Sequence, residues 1–300
     1  MSTESNQACA CSQVPVDRVQ RAAAAAKPKK PKDTADQAKG TRSGPEEKRL
    51  QGHWLLAKMG KRVLRPGGME MTKRILAKAR PSSEDRIVEF GPGVGKTAEI
   101  LLAARPSRYW GVDVRDEGDN PLLGVLAGHE EARLVNADAK ETGLDEHCAT
   151  LVVGEAMLTM QSDADKLAIM REAFRILAPG GRYALHEMGF KPEATQKTTG
   201  AVQKNLSQTI KVGARPLTLD GWRKLLGEAG FDVVYSTSNK MALLEIRRVI
   251  ADEGWGGFLT FVFNVARNPA ARKRILAMRK TFKTNQQFIC AVGFVAVKPE

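Results

Sequence analysis

Cysteine is scarce in this sequence: its 300 residues include four, at positions 9, 11, 148 and 290. They form no CxxC pair or other spacing typical of a metal site, which argues against a zinc module or a disulfide scaffold. Apolar runs are short, and no stretch approaches the roughly 18 uncharged residues that a membrane-spanning helix needs. The amino terminus lacks the apolar core of a secretion signal, and Glu4 and Asp17 are unusual in a transit peptide. These absences predict a soluble protein of the cytoplasm.

Basic residues are concentrated at the two ends of the chain, although the formal net charge of +13 first suggests a nucleic-acid partner. Residues 1–80 carry a net charge of +11 and residues 266–300 one of +7, whereas residues 81–265 carry −5. The body of the protein is therefore mildly acidic. This distribution argues against RNA or DNA lying across the main domain.

The first 45 residues are small and polar and include the basic run KPKKPK from Lys27 to Lys32. Such a segment buries too little apolar surface to offset the entropy of ordering it, so we expect a disordered basic tail over 1–45. A solvated tail and an electrostatic tether to RNA or an acidic membrane both fit this composition. Residues 46–81 predict two helices as an N-terminal helical cover, which either packs on the edge of a sheet or covers a cofactor.

Beyond these helices, short apolar runs alternate with helical patterns, which is typical of an α/β fold with a parallel sheet wrapped by helices. The clearest helix, residues 164–177, is predicted to end at Pro179-Gly180-Gly181. Two segments, about 189–216 and about 240–286, interrupt the alternation where substrate-covering inserts are usually attached to α/β sheets. We expect residues 82–300 to form one domain with these segments as helical lid inserts. The predicted strands lie at residues 86–90, 109–113, 132–136, 150–154, 182–187, 231–236 and 288–297.

A glycine-rich stretch, RIVEFGPGVGKT at residues 86–97, joins the first predicted strand to a helix. Glycines at alternate positions let a ligand approach the backbone closely and direct the amino end of the helix toward it. A P-loop would need a glycine where Phe90 stands, and a dinucleotide fingerprint would need its third glycine where Lys96 stands. A tight turn without a ligand is the structural alternative. The remaining candidate is the E/DxGxGxG loop of S-adenosylmethionine binders, with Glu89, Gly91, Pro92, Gly93 and Gly95.

Two acidic residues follow the next two predicted strands. Asp113 ends the second strand, 18 residues after Gly95, where a carboxylate can accept hydrogen bonds from both hydroxyls of a ribose. Asp138 follows the third strand, where it can accept a hydrogen bond from the amine of adenine while the Ala139 backbone N–H donates to the ring. The alternatives are a turn or cap at Asp113 and an Asx turn at Asp138.

The run from Leu144 to Glu187 contains LDEHCATLVVGEAMLTM and MREAFRILAPGGRYALHE. It resembles the second half of a class I S-adenosylmethionine-dependent methyltransferase domain, close to the small-molecule, ubiquinone/menaquinone-type branch. The resemblance covers residues 84–190 well and residues 216–237 loosely. It implies a Rossmann-like, seven-stranded, doubly wound sheet whose last strand is antiparallel, and it implies S-adenosyl-L-methionine as the cofactor.

The same resemblance implies roles for individual residues. Glu89 and the three glycines of the loop would surround the methionine moiety of the cofactor. Asp113 would bind the ribose, and Asp138 with Ala139 would bind the adenine. Glu155, just after the fourth predicted strand, takes the position that faces the methyl group and the substrate.

The sequence departs from methyltransferases that modify nucleic-acid amino groups, because GEAML at residues 154–158 replaces their Asp-Pro-Pro-Tyr or Asn-Pro-Pro-Tyr signature. A Pro-Cys nucleophile of the cytosine-C5 type is also missing, so covalent catalysis is not expected. A general base is needed only if the acceptor loses a proton as it is methylated. The candidates are His186 and Glu187 after the fifth strand and His53 in the first helix, although a lone histidine is more often structural.

Aromatic residues are concentrated in the second insert, which contains Trp255, Phe258, Phe261 and Phe263. This density suits an apolar substrate pocket, a surface that contacts membrane lipid, or simple packing of the insert on the sheet. We therefore predict an enzyme without a metal that methylates a small, partly apolar molecule by in-line displacement. The alternatives are an RNA methyltransferase that uses the basic termini and a non-catalytic S-adenosylmethionine-binding regulatory protein. The oligomeric state is left open.

Overall fold

The computed structural model describes residues 50–115 and 120–300 of the chain. The predicted disordered tail over 1–45 and the start of the first predicted helix lie outside these residues. Within them the chain forms a mixed α/β unit built on one sheet. The observed strands differ from the predicted ones mainly in the length of the fifth strand.

The helices are α1 (Gly52–Lys58), α2 (Gly68–Ala79), α3 (Lys96–Ala103), α4 (Leu122–Leu126), α5 (Asp163–Ile176), α6 (Gln196–Ile210), α7 (Leu219–Glu228), α8 (Ile246–Arg267) and α9 (Pro269–Asn285). A short 3-10 turn spans Leu158–Met160. The strands are β1 (Arg86–Phe90), β2 (Arg108–Asp113), β3 (Ala132–Asn136), β4 (Ala149–Glu155), β5 (Leu177–Phe190), β6 (Leu217–Thr218), β7 (Asp232–Lys240) and β8 (Ile289–Val297).

Seven strands follow the order β3-β2-β1-β4-β5-β8-β7, and the two-residue β6 pairs with the end of β5. Strands β1 to β5 are parallel to one another, and β8 runs antiparallel to both β5 and β7. The prediction of a Rossmann-like sheet with an antiparallel last strand is therefore confirmed. The strand order reverses between β1 and β4, so their carboxyl ends flank the crevice where open α/β sheets bind ligands.

The central strands are buried on both faces because helices cover both sides of the sheet. Along β1, Ile87 and Val88 point to opposite faces, since side chains alternate along a strand. Val88 packs in the cluster that contains α5 and α7, and Ile87 packs in the cluster that contains α2, α3 and α4. Strand β8, with the sequence ICAVGFVAV, is apolar along its whole length for the same reason.

Strand β5 is longer than predicted and begins directly after α5. The helix ends at Ile176, and Pro179-Gly180-Gly181, which was predicted to close it, lies instead within β5. The Gly180 N–H donates to the carbonyl of Lys298 at 2.9 Å, and the Lys298 N–H donates to the Gly181 carbonyl at 2.9 Å. The residue after β8 therefore holds this irregular segment in the sheet, a long-range pairing that a local turn signal does not contain.

Both inserts contain helices. Helix α6 lies in residues 189–216, and α8 and α9 lie in residues 240–286. The inserts follow β5 and β7, which are parallel to each other because both are antiparallel to β8, so they leave the sheet at the same edge. Their helices share an apolar cluster with α1 that includes Leu56, Val202 and Phe261. The inserts thus have a core of their own above the sheet.

The two N-terminal helices pack against different parts of the protein, and the prediction that they cover a cofactor stays a prediction. Helix α2 packs on the sheet, where Ile75 Cδ1 lies 2.6 Å from the position that a Cβ on Gly293 of β8 would occupy. The glycine in β8 therefore permits this close approach. Helix α1 packs beneath the inserts instead, through Leu55 and Leu56.

Candidate functional site

A cavity of about 240 Å³ lies at the carboxyl ends of β1, β2 and β4. Part of its wall comes from the sheet and its loops, including Gly91, Asp113 and Glu155. Another part comes from α1, α6 and α9, so the N-terminal helix and both inserts contribute to the same space. The cavity coincides with the point where the strand order reverses, the usual ligand position in this class of sheet.

The glycine loop between β1 and α3 has the left-handed backbone that glycine adopts most readily, with φ of 62° at Gly91, 62° at Gly93 and 79° at Gly95. A Cβ on Gly91 would meet only Met157, at 3.6 Å, and one on Gly93 only a carbonyl, at 3.9 Å. A Cβ on Gly95 would lie 2.7 Å from Val125 Cγ2 of α4. The first two glycines thus leave open space beside Pro92, whereas the third permits α4 to pack against the start of α3.

Glu89 is the acidic residue of the loop motif, and 3% of its surface is exposed. Burial raises the pKa of its carboxyl to about 8, and the negative charge of Glu155 acts in the same direction. The Tyr109 hydroxyl opposes the increase by donating a hydrogen bond to Oε2 at 2.6 Å. Glu89 therefore carries a proton at neutral pH, and a positive group placed against it would lower its pKa again.

Glu155 ends β4 and lies at the centre of a buried hydrogen-bonded cluster. Its Oε1 accepts hydrogen bonds from Thr72 Oγ1 at 2.6 Å and from His186 Nδ1 at 2.8 Å. Its Oε2 forms an ion pair with Arg65 Nη1 at 3.0 Å and accepts the Thr97 hydroxyl. Burial opposes ionisation, but the Arg65 charge and these hydrogen bonds outweigh it and lower the pKa of Glu155 to about 2. Glu155 is thus a carboxylate held in one position.

His186, a candidate base, is fully buried in β5 beside this cluster. Its Nε2 accepts a hydrogen bond from the Gly67 N–H at 3.1 Å, so the ring proton resides on Nδ1 and is donated to Glu155. Burial lowers the pKa of His186 despite the neighbouring carboxylate. The ring is therefore neutral, and both of its nitrogens are engaged within the protein.

Glu187, the next residue, faces the turn that follows β4. Its two oxygens accept four hydrogen bonds, from the backbone N–H groups of Met157, Leu158 and Thr159 and from the Thr159 hydroxyl. These donors occupy the usual acceptor positions of a carboxylate. Glu187 thus fixes the turn whose residues Ala156, Met157, Thr159 and Met160 line the cavity.

His53, the third candidate base, lines the cavity from α1. Burial lowers the pKa of its imidazole to about 4, and the positive charge of Arg115 acts in the same direction. Among the described residues its ring nitrogens have no hydrogen-bond partner, and its ring lies 4.9 Å from that of Trp54. Of the three candidates, His53 is the neutral acceptor that faces the cavity.

Asp113 ends β2 at the cavity and contacts Arg115. Arg115 Nε donates to Oδ1 at 3.1 Å and Nη2 donates to Oδ2 at 2.7 Å. The same Nη2 donates to the Gly93 carbonyl at 3.1 Å, and the guanidinium stacks on the Trp54 ring, 4.1 Å from its centroid. Arg115 therefore connects the predicted ribose-binding carboxylate to both the glycine loop and α1.

Asp138 lies apart from the cavity wall. It is exposed, and its Oδ1 accepts the Lys140 backbone N–H at 2.9 Å, the hydrogen bond of an Asx turn. Its Oδ2 also lies 3.5 Å from Lys140 Nζ. Ala139 is buried in the core cluster beside α5. The strand pairing still places this turn next to Asp113, since the Ala137 N–H donates to the Asp113 carbonyl at 3.2 Å, so adenine binding here stays a prediction.

The remainder of the cavity wall is apolar. It includes five of the chain's ten methionines, at positions 157, 160, 188, 241 and 278. Methionine side chains are flexible and polarisable, so they adapt to irregular apolar molecules. Helix α6 contributes Ile210 and α9 contributes Phe282, so both inserts form part of this apolar surface.

Several residues that shape the site were not singled out from the sequence, namely Trp54, Arg65, Thr72, Thr97, Tyr109 and Arg115. Of these, only Thr97 lies in the glycine-rich stretch at residues 86–97. Arg65 and Trp54 precede the loop by more than 20 residues, so no local pattern connects them with it. Their contribution follows from the packing of α1 and the segment after it over the ends of the strands.

The doubly wound sheet, the glycine loop and the carboxylate at the end of β2 are typical of α/β proteins that bind a nucleotide-type cofactor. The model of a methyltransferase domain family matches residues 53–236, more than half of the chain. The chain belongs to this methyltransferase domain family. Membership implies S-adenosylmethionine as the methyl donor and methyl transfer as the reaction.

Comparison with individual proteins gives a relative by sequence and several solved structures with a similar fold. An uncharacterized protein of Haemophilus influenzae is 31% identical over 252 residues, which are 82% of this chain and 96% of that protein. The solved structure of the cyclase SpnF is similar with a TM-score of 0.63 at 13% identity, over 82% of this chain and 93% of that one. The solved structure of phosphoethanolamine N-methyltransferase 2 of Haemonchus contortus gives a TM-score of 0.62 at 18% identity, over 83% of this chain and 57% of that one. These structural likenesses show a shared fold, and the ubiquinone/menaquinone-type branch stays a prediction.

Proposed function

We propose that this protein transfers the methyl group of S-adenosyl-L-methionine to a small acceptor with a substantial apolar part. The observation that carries the proposal is that one cavity contains both kinds of surface. Gly91, Glu89 and Asp113 line it together with Met188 and Met278 from the sheet and the second insert. A polar cofactor and an apolar acceptor would therefore meet in a shared space that the lid separates from water.

The residues at this site fit the cofactor chemically. The open space beside Gly91 and Gly93 accommodates a ligand close to the backbone. The Arg65 Nε is buried, lies at the cavity and has no hydrogen-bond partner among the described residues, so it is a donor suited to the methionine carboxylate. Glu89 would accept the methionine ammonium, and Asp113 the ribose hydroxyls. We propose Asp138 and Ala139 for the adenine, as the family resemblance implies.

When bound, the cofactor supplies an electrophilic methyl group on a sulfonium, which is transferred by in-line displacement. The protein's part is to align the acceptor and exclude water, which its methionine-lined wall supports. Positive charge disappears in this reaction, so a lone carboxylate near the methyl group would stabilise the ground state more than the transition state. The ion pair with Arg65 compensates Glu155 and reduces this penalty.

We propose His53 as the group that receives or orients an acceptor proton. Its ring is neutral, faces the cavity and has nitrogens without partners among the described residues. His186 and Glu187 have their acceptor positions occupied within the protein, so we assign them to positioning Glu155 and the turn after β4. An acceptor that is already a free nucleophile would need His53 only for orientation.

The cofactor assignment is tested by calorimetry with S-adenosylmethionine. Asp113→Ala removes the carboxylate that we propose accepts from the ribose, so we expect binding to weaken roughly tenfold or more. Asp220→Ala is the matched control, because it removes a carboxylate that is 89% exposed on α7. Unchanged binding in Asp113→Ala would contradict the assignment. A parallel titration of Asp138→Ala tests whether the adenine-binding prediction holds.

Methyl transfer is tested separately, because the fold is shared with a protein whose name describes it as a cyclase. The purified chain would be incubated with methyl-labelled S-adenosylmethionine and a metabolite extract, and labelled products identified by mass spectrometry. We expect label in small molecules with apolar surface. Cofactor binding with no labelled product in any fraction would favour the non-catalytic regulatory alternative.

The RNA methyltransferase alternative predicts RNA binding that depends steeply on salt and is lost when residues 1–45 are removed. Absence of RNA binding at moderate salt would eliminate the RNA methyltransferase alternative.

Within the described residues, none of the helices has the length and hydropathy needed to cross a bilayer. The same residues contain no group of three or more histidine, cysteine or acidic side chains arranged to hold a metal. Location in the cytoplasm stays a prediction.

A further inference from the structure

A second pocket of about 280 Å³ lies next to the cavity, between the segment 241–247 and helix α9. Met241, Leu243 and Phe282 line both spaces and so form their common wall. The common wall consists of side chains only from the second insert. Phe282 belongs to the apolar cluster of the inserts and is 7% exposed. The two spaces therefore lie on opposite sides of the same three side chains.

The second pocket is cationic. Arg247, Arg279 and Lys283 line it, and Glu245 is its single acidic lining residue. All three basic side chains are exposed, and within the described part of the chain none of them forms a side-chain hydrogen bond or an ion pair. By contrast, Arg248, the neighbour of Arg247, pairs with Glu70 at 3.0 Å. The cations around the second pocket are thus left uncompensated.

Helix α9 places two of these cations on one face at a cost to its own stability. Arg279 and Lys283 are four residues apart, a spacing at which like charges destabilise a helix. Between Gly254 and Phe288 the chain has no acidic residue that would offset them. A bound anion would compensate both charges, and a site that violates a local rule in this way is often functional.

We infer that the second pocket binds the anionic group, a phosphate or carboxylate, of an amphipathic acceptor whose apolar part extends past Phe282 into the cavity. This inference rests on the proposed function, because it names the class of molecule that the same cavity methylates. The guanidinium groups of Arg247 and Arg279 would form bidentate hydrogen bonds with the anion, and Lys283 would add a point charge. The anion would anchor the acceptor at a distance from the glycine loop.

The inference is tested with decyl phosphate, decanol and inorganic phosphate as probes of the full chain labelled with ¹³C-methyl methionine. Met188 and Met278 line the cavity but not the second pocket, so shifts of their methyl signals report occupation of the cavity. Decyl phosphate below its micelle concentration should bind about tenfold more tightly than decanol, because only decyl phosphate carries an anionic group. Inorganic phosphate should leave the Met188 and Met278 signals unchanged.

Substitutions of the basic residues test where the phosphate group of decyl phosphate binds. The double variant Arg279→Gln with Lys283→Gln should lose the roughly tenfold preference for decyl phosphate and keep its affinity for decanol. Arg272→Gln is the matched control, since this exposed residue of α9 does not line the pocket. All substituted side chains are exposed, so the fold is expected to persist, and thermal unfolding checks this. Equal affinity for decanol and decyl phosphate, or an equal loss in Arg272→Gln, would overturn the inference.

Two further arms separate the ways in which the inference can fail. If the chain binds phosphatidate vesicles but monomeric decyl phosphate moves no methionine signal, the cations serve a membrane surface and the inference is wrong. Calorimetry with S-adenosylmethionine on the same sample tests the proposed function independently. Cofactor binding without a preference for decyl phosphate refutes only the anionic subsite, whereas failure to bind the cofactor refutes the proposed function.

Discussion

In the proposed cofactor complex, the protonated carboxyl of Glu89 meets the ammonium group of S-adenosylmethionine. Its pKa of about 8 means that most of the protein carries this proton at pH 7. We expect binding of S-adenosylmethionine to release the proton near pH 7 and to tighten as pH rises toward 8, because the ammonium favours the carboxylate. Calorimetry in buffers of different ionisation enthalpy measures the release. Glu89→Gln should show none, and a wild-type protein without buffer dependence would contradict the prediction.

His186 connects two buried partners through a single tautomer. His186→Leu would leave the Gly67 N–H without its acceptor and would remove one of the two donors to Glu155 Oε1, where the Thr72 hydroxyl would remain. An unsatisfied buried group costs about 1–3 kcal/mol and a hydrogen bond to a charged group contributes about 1.5–3 kcal/mol, so we expect the free energy of unfolding to fall by roughly 2–5 kcal/mol. Urea unfolding measures the change. The exposed His129 provides the control, and a His186→Leu loss no larger than that of His129→Ala would refute the positioning role.

At the level of elements, Glu253 of α8 attaches the second insert to the segment after α1. Its Oε1 accepts the Arg62 N–H at 2.9 Å and the Val63 N–H at 2.8 Å, and it lies 3.4 Å from the buried Lys61 Nζ. Glu253→Ala removes this acceptor, so the Arg62 and Val63 amides should exchange hydrogen roughly tenfold faster or more. Hydrogen exchange followed by NMR gives the rates residue by residue.

The control for the insert attachment is Glu228→Ala on α7, whose carboxylate is 47% exposed and, among the described residues, pairs only with Lys224, at 3.7 Å. Amide exchange in the sheet should stay the same in both variants. If Glu253→Ala accelerated exchange throughout β8 as well, the residue would support the whole fold and not the attachment of the insert.

The sequence was informative where local signals and tertiary structure agree. Strands β1 and β3 lie where the alternation predicted them, and Gly91 and Gly93 have the backbone that a ligand loop requires. Strand β5 differed because its start is held by Lys298, more than 100 residues later. The ion pair between Arg65 and Glu155 was unpredictable for the same physical reason: both partners are brought together only by packing.

At the scale of the whole molecule, α8 exposes an apolar face next to the cationic α9. Trp255, Leu259 and Phe263 are 68%, 61% and 57% exposed, and they lie on one side of the helix. Helix α9 carries six basic residues and no acidic one. Apolar and cationic surfaces side by side are typical of proteins that bind the surface of an anionic membrane. The peripheral membrane contact considered from the sequence is therefore a prediction that can be tested directly.

We expect the chain to sediment with vesicles that contain anionic lipid and to bind neutral vesicles weakly. The double variant Leu259→Ser with Phe263→Ser should reduce binding roughly tenfold or more, since each side chain contributes about 1.5–3 kcal/mol when fully buried. Val234→Ser is the control because Val234 is 63% exposed on β7, away from α8. An equal reduction in the control, or equal binding to neutral vesicles, would contradict the prediction.

The position of β8 also has a consequence for how the protein is made. This strand is translated after all others described, yet it pairs with β5 on one side and β7 on the other. Leu185 in β5, for example, pairs with Phe294 in β8, which is synthesised 109 residues later. Until residues 289–297 emerge, β5 and β7 each have an edge without its partner strand, and unpaired strand edges are templates for aggregation. Strands β1 to β4 can therefore pair with one another during translation, whereas β7 joins the sheet only after β8 has been synthesised.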